Sequence, residues 1–222
     1  MDIDIIGIKK KYGKSTVLKD ITFSCSSGEC VGILGCNGCG KSTLLNILSG
    51  IITSNGGEFL CDGKNLLKDR KSREKLTAYV PQFPPLIEEL TAKDNLLLWY
   101  SSGEIKASAS SGVIKMLGID KYLKSPVKNM SGGMKKRLSI ACAVSNRPKI
   151  LFLDEPSAAL DPICKKTICD YIERFKKFGG IVIIATHDLN ELSVCDKCYI
   201  IKDGRLNEFD NKNDFSKLVD NL

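Results

Sequence analysis

The sequence predicts an α/β fold: a mostly parallel sheet flanked by helices, with an antiparallel N-terminal β subdomain and an inserted α-helical subdomain. Three observations predict it. Apolar positions alternate through the first two dozen residues, as in paired half-buried strands. Short, continuously apolar runs alternate with helical patterns near both ends of the chain, which suits parallel strands covered on both faces. Between Pro81 and Pro148 the pattern turns mainly helical.

The elements follow in order. Residues 3–8 and 17–23 carry the alternating apolar side chains of two pairing strands. Residues 30–34 form an apolar run bounded by Gly28 and Gly35, the mark of a buried strand. Behind it, Leu44, Leu45, Ile47 and Leu48 give residues 41–48 a helix face. Strands are expected at 59–61, ended by Asp62-Gly63, and at 77–80. In the middle, helices are expected over 91–100, 112–117 and 134–145, punctuated by prolines at 81, 84, 85 and 126. Strand and helix then alternate: strand 150–153, helix 162–178, strand 181–185, helix 189–194 and strand 198–201. The tail, 210–222, reads as a short charged helix with no assigned role. Without repeats or low-complexity tracts, residues 1–222 are expected to form a single domain. Its core would be 1–81 and 149–222, with a helical lobe at 82–148.

Composition narrows the function classes. The 222 residues are 43% hydrophobic and 27% charged, too apolar for a disordered chain. No run approaches the roughly 18 apolar residues of a membrane span. No apolar segment follows the basic residues near the N-terminus, so a secretory leader is not expected. The expectation is a soluble intracellular protein whose ten cysteines are reduced thiols in small-residue positions. The net charge of +7 suits an anionic ligand, although scattered lysines fit a solvated basic surface equally well.

Residues Gly35-Cys36-Asn37-Gly38-Cys39-Gly40-Lys41-Ser42 fit G-x-x-x-x-G-K-[ST] between an expected strand and an expected helix. Glycines let the backbone curl so that its N–H groups point inward, and the helix N-terminus adds a positive field. Lys41 would reach the β- and γ-phosphates of a nucleotide and Ser42 would hold Mg2+. A glycine-rich turn that merely precedes a helix is the alternative. The strand 150–153 ends in Asp154-Glu155 at the carboxyl edge of the sheet, where Asp154 could hold Mg2+ and Glu155 polarise an attacking water. Two solvated acids closing a strand would look the same when taken alone.

With these motifs in place, the chain resembles the nucleotide-binding domains of the ABC (ATP-binding cassette) ATPases over residues 3–209. Ser131-Gly132-Gly133-Met134 resembles the family signature usually written LSGGQ, and residues 157–161, ending at Asp161, resemble the D-loop. Ala159 stands there where glycine is commoner. Gln82 is similar to the Q-loop glutamine, His187 to the switch histidine, and Tyr12 to the aromatic that stacks on adenine. The resemblance implies a P-loop NTPase core that binds ATP through Tyr12, Val17, Gly35, Cys36, Asn37, Gly38, Cys39, Gly40, Lys41, Ser42 and Thr43. It implies Mg2+ held by Ser42, Gln82 and Asp154, and catalysis by Glu155, His187 and Gln82. Two cassettes, as a homodimer or as a heterodimer with a second cassette of different sequence, would close head-to-tail, Ser131, Gly132, Gly133 and Met134 of one contacting the ATP of the other. The transport pathway would belong to a separate membrane-spanning permease, docked near residues 82–89, with the cassette peripheral on the inner face of the cell membrane.

Met134 replaces the usual glutamine and so lacks its amide. SGGMKKRLSIA, with LTAKDNL at 90–96, resembles cassettes that export drugs, antibiotics and lipids. An importer-type cassette is the rival. A soluble ABC ATPase of DNA repair or translation would need a coiled-coil insertion or a second cassette, and no basic stripe for nucleic acid is evident. A silent regulatory cassette would lack Glu155 or His187, and both are here. Cys36/Cys39 and Cys195/Cys198 each form C-x-x-C. Zinc at the first pair would distort the phosphate loop, so packing thiols are expected, with a reversible Cys36–Cys39 disulfide as the alternative.

Overall fold

The computed structural model describes residues 1–209; the tail helix expected at 210–222 lies outside the described residues. Strands β1 (Asp2–Tyr12) and β2 (Ser15–Ser26) pair antiparallel, Asp2 opposite Ser26 and Tyr12 opposite Ser15. Ile3, Ile5, Ile8, Leu18, Ile21 and Phe23 point inward. A register shift between Ile5 and Ile8 breaks the alternation at Gly7, so both strands run past the stretches their pattern marks. The phosphate loop joins β3 (Cys30–Leu34) to α1 (Lys41–Ser49). β4 (Gly56–Cys61) pairs with β1 and turns into the two-residue β5 (Lys64–Asn65) through Asp62 and Gly63. Both turn residues have positive φ, as a tight Asp-Gly hairpin demands.

Next come α2 (Arg70–Leu76) and β6 (Thr77–Val80). The helices α3 (Ala92–Leu97), α4 (Ser102–Ser111), α5 (Val113–Met116) and α6 (Gly132–Ala143) all fall between β6 and the next strand, as the mid-chain pattern predicts. The described residues end with β7 (Ile150–Asp154), α7 (Pro162–Lys177), β8 (Ile181–Ala185), α8 (Leu189–Leu192), β9 (Lys197–Lys202) and β10 (Arg205–Phe209).

Among the described residues, one sheet contains all ten strands, in the order β5-β4-β1-β2-β10-β9-β3-β8-β7-β6. The N-terminal end is antiparallel, and β9, β3, β8, β7 and β6 run parallel. Alternate residues of β7 and β8 serve opposite faces. Ile150, Phe152, Ile181 and Ile183 pack with α1 and the N-terminal strands, and Leu151, Leu153, Val182 and Ile184 pack with α6 and α7. Ile105, Ile114 and Leu138 of the mid-chain helices share that second core. Because β3, β8, β7 and β6 are parallel neighbours, the segments leaving their carboxyl ends meet along one edge. An open parallel sheet places its ligand there.

Candidate active site

Four segments arrive at that edge: the phosphate loop after β3, His187 after β8, Asp154-Glu155 at the end of β7, and Gln82 after β6. A cleft of about 370 Å³ is lined by Asn37, Gly38, Gly40, Lys41, Ser42, Thr43, Gln82 and Glu155. Larger clefts lie elsewhere, one of about 550 Å³ beside α7, so volume does not single out this one. Its donors and carboxylate do.

The loop is built by necessity from glycine. Gly35 has φ +148 and Gly40 φ +114. A Cβ on Gly35 would meet Cys39 Sγ at 2.5 Å, and one on Gly40 would meet Leu18 Cδ2 at 2.8 Å. Gly40 caps α1 with no side-chain bond, so the helix presents first-turn N–H groups to the cleft. Lys41 is buried and turns back, its Nζ donating to the carbonyls of Gly35 (2.7 Å) and Cys36 (3.3 Å), with Glu155 Oε1 at 3.9 Å. Cys36 is exposed and Cys39 half-buried, where burial pushes its thiol up from the ordinary range.

Asp154 is 3% exposed. Its Oδ2 accepts from the Tyr79 hydroxyl at 3.1 Å, and its Oδ1 has no hydrogen-bond partner among the described residues. Burial and the Asp154 charge hold the Tyr79 phenol protonated, well above its usual range. Glu155 lies in the left-handed region at φ +46. Its N–H donates to Ala185 O (2.8 Å), and its Oε2 sits 2.8 Å from His187 Nδ1. Ala185 closes β8, so neighbouring strands hold the acid and its imidazole together. Asp154 Oδ1, the Ser42 hydroxyl and the Gln82 amide are hard oxygen donors of the kind Mg2+ takes.

The remaining expected residues are not in this cleft. Tyr12, at the end of β1, is half exposed under the Lys10 ammonium, 5.0 Å from its ring centroid. Val17 borders the loop from below, near Gly40. Ser131 caps α6, its Oγ accepting from Met134 N at 3.3 Å, and Ser131 and Gly132 face outward. Asp161 caps α7 by accepting from Cys164 N at 2.9 Å.

Sequence reasoning misses two site neighbours. Tyr79 orients Asp154 from the adjacent strand β6, a strand pairing that one sequence does not reveal. Lys136, in the basic run 135–137, is 4% exposed, and its Nζ donates to Pro81 O (2.9 Å) and Gln82 O (2.7 Å). One ammonium thus ties α6 to the loop bearing Gln82.

Comparison with known proteins agrees with this geometry. The profile of the family described as "ABC transporter" matches residues 18–158. The chain is 34% identical to the linearmycin resistance ATP-binding protein LnrL of Bacillus subtilis, over 93% of this chain and 68% of that one. It is 32% identical to the lantibiotic transport ATP-binding protein SrtF of Streptococcus pyogenes, over 99% of this chain and 96% of that one. Among solved structures, it superposes on the cassette MJ0796, titled as a dimeric post-hydrolysis state bound to ADP and Pi. The TM-score is 0.82 at 28% identity, covering 96% of this chain and all of that one.

Proposed function

The chain belongs to the ABC transporter family of ATP-binding proteins, and from that footing we propose that it is the ATP-hydrolysing motor of an export system, working on a separate membrane-spanning permease. ATP binding and hydrolysis belong to the family. The export reading draws on the relatives named for antibiotic resistance and lantibiotic transport. The observation that carries the mechanism is the meeting of phosphate loop, Gln82 and Glu155 in one cleft, with His187 gripping Glu155.

On this reading, ATP lies along residues 35–43 with its adenine on Tyr12 and its ribose side against Val17. Lys41 exchanges the Gly35 and Cys36 carbonyls for the β- and γ-phosphates, a move within reach of its flexible stem. Ser42, Asp154 and Gln82 would hold Mg2+, and the unpaired buried Asp154 Oδ1 fits that role. When bound, the ion neutralises phosphate charge. Glu155 takes the proton of the attacking water. His187 holds it through Nδ1, leaving Nε2 as the ring nitrogen for the γ-phosphate. Ser131, Gly132, Gly133 and Met134 serve a second copy's nucleotide, and Asp161 lies on the same closing face.

The division into a core of 1–81 and 149–222 and a helical lobe of 82–148 belongs to the same proposal. So does peripheral placement on the inner face of the membrane; no helix among the described residues is long and apolar enough to cross one. The permease would dock on the exposed apolar side chains Phe83, Ile87, Leu98 and Trp99, each at least 44% exposed. Within the stretch expected to offer apolar contact, Leu86 instead packs inward, and Glu88 is paired with Lys135 at 2.5 Å.

The test is Glu155→Gln, measured by size exclusion with light scattering with and without Mg2+ and ATP. Hydrolysis should fall by about 10²-fold or more while nucleotide still binds. The expected result is a monomer that becomes a dimer only with nucleotide. A persistent monomer that binds ATP would overturn self-pairing and point to a second, different cassette.

A further inference from the structure

Glu191 is a carboxyl that the mechanism above does not use, yet it is 1% exposed on α8, directly behind the catalytic edge. It faces the hydroxyls of Ser157, at the buried start of the D-loop, and of Thr186, the residue before His187. Both hydroxyl residues are fully buried. Neither carboxyl oxygen of Glu191 nor Ser157 Oγ has a hydrogen bond of ordinary geometry among the described residues. Thr186 is engaged on both sides: its N–H donates to Ile33 O at 3.1 Å and its Oγ1 accepts from Asp188 N at 2.9 Å. Buried polar groups left unpaired are costly, so they persist where another state pairs them.

The D-loop joins the buried Ser157 to the surface. Its near end, Ser157, is buried, while Ala159 and Asp161 are exposed and Ala159 holds φ +58. We infer that Glu191 is a positioning residue to which Ser157 and Thr186 are fastened together when a second copy of this chain presses on residues 159–161, which sets His187 and through it Glu155. The path is contiguous: Ser157, Glu191, Thr186, His187, Glu155. Either form of the carboxyl can bridge the two hydroxyls, but only the neutral one does so without burying a charge beside the Asp188 and Glu155 carboxylates, so ionisation works against the fastened state.

The surroundings favour the neutral form. Burial, with the Asp188 and Glu155 carboxylates adding to it, pushes the Glu191 carboxyl up to about 7 against the pull of the two hydroxyls. Lys136 on α6 is the nearby cation from one side. From α7 come Lys165, which is paired with Asp188, and the Cys169 thiol, and the Cys195 thiol lies below.

The inference rests on the proposed roles of Glu155 and His187, so wild type and Glu155→Gln are assayed alongside. Glu191→Ala should lower kcat roughly tenfold with KM for ATP within about twofold, the mark of lost positioning rather than lost binding. Glu191→Gln, which keeps a donor and an acceptor, should retain most of the activity and lose the decline in rate above pH 7. Adding Ser157→Ala to Glu191→Ala should cost less than about twofold more, because coupled residues are not additive. Glu191→Ala at wild-type kcat, Glu191→Gln with an unchanged pH profile, or fully multiplicative Ser157 and Glu191 effects would each overturn it. If Glu191→Ala does not fold, the Glu191→Gln pH profile decides. A wild-type protein without ATPase activity would sink the parent reading instead. Active wild type, inactive Glu155→Gln and no response at Glu191 would sink this inference alone.

Discussion

Two buried ionisable side chains of opposite sign, Glu191 and Lys136, give stability a pH dependence that can be worked out residue by residue. Glu191, raised from 4.5 to about 7, is held neutral by the fold while the unfolded chain would release its proton. Between those values the native state binds more protons, so this group's contribution falls as pH rises to about 7 and is flat beyond. Lys136, lowered by burial from 10.5 to about 8, behaves in mirror image. Between 8 and 10.5 the unfolded state binds more protons, so stability recovers with pH. Each limb is on the order of 3 kcal/mol for shifts of this size. Denaturant midpoints of wild type should pass through a minimum near pH 7–8. Glu191→Gln should gain on wild type steadily from pH 5 to 7; a constant gap between the two would refute the assignment. Neither residue announces itself in sequence. Lys136 sits in Lys135-Lys136-Arg137, which reads as a solvated run, yet each member is tethered: Lys135 to Glu88, Lys136 to the Gln82 loop, and Arg137 to Leu117 O at 2.9 Å. Ala159 shows the opposite, since the position where glycine is commoner is held at φ +58.

At the scale of elements, legibility followed burial. The expected bounds of β3, β6 and β8 match the observed ones because each strand is short and packed into the core. The sequence pattern does not reveal the helices α2 and α4. The first buries no residue and the second only Ile105, so neither carries a 3.6-residue apolar stripe. Their caps were the available signal: Asp69 accepts from Ser72 N, and Ser101 and Glu104 form a reciprocal capping box. β10 carries no strand signal because none of its residues is buried and its pattern is polar, with Leu206 and Phe209 only partly covered, one against each core. α6 begins two residues earlier than its apolar pattern because Ser131 caps it and Gly132-Gly133 enter the first turn. A Cβ on Gly133 would meet Cys164 Sγ at 2.4 Å, so that turn packs closely on α7. The helix is anchored in its second turn by Lys136, so Lys136→Met should act on the element rather than on nucleotide contact. Losing both carbonyl bonds should cost about 1–3 kcal/mol of stability. In the Glu155→Gln background it should weaken ATP-dependent pairing more than ATP binding. Equal losses in both would show that the tether serves the fold alone.

For the whole molecule, the decisive fact is what the cleft lacks. Phosphate loop, Gln82 and Glu155 line it, but none of Ser131, Gly132, Gly133 or Met134 does, and the first two of these face outward. This separation was legible only through the resemblance to the family, because no spacing in one chain tells whether two motifs meet within it or across copies. If the signature completes a neighbour's site, a two-fold arrangement makes two sites, each with one phosphate loop and one signature from different chains. Lys41→Ala and Ser131→Arg should then each abolish hydrolysis alone. Mixed, they form a heterodimer in which one site collects both defects and the other collects none. Statistical pairing of equal amounts should therefore restore up to about a quarter of wild-type activity, if the sites turn over independently. A chain that completes its own site gives no recovery at any mixing ratio. Measuring ATPase activity against mole fraction separates the two, since recovery across chains peaks at equal amounts and vanishes at both ends.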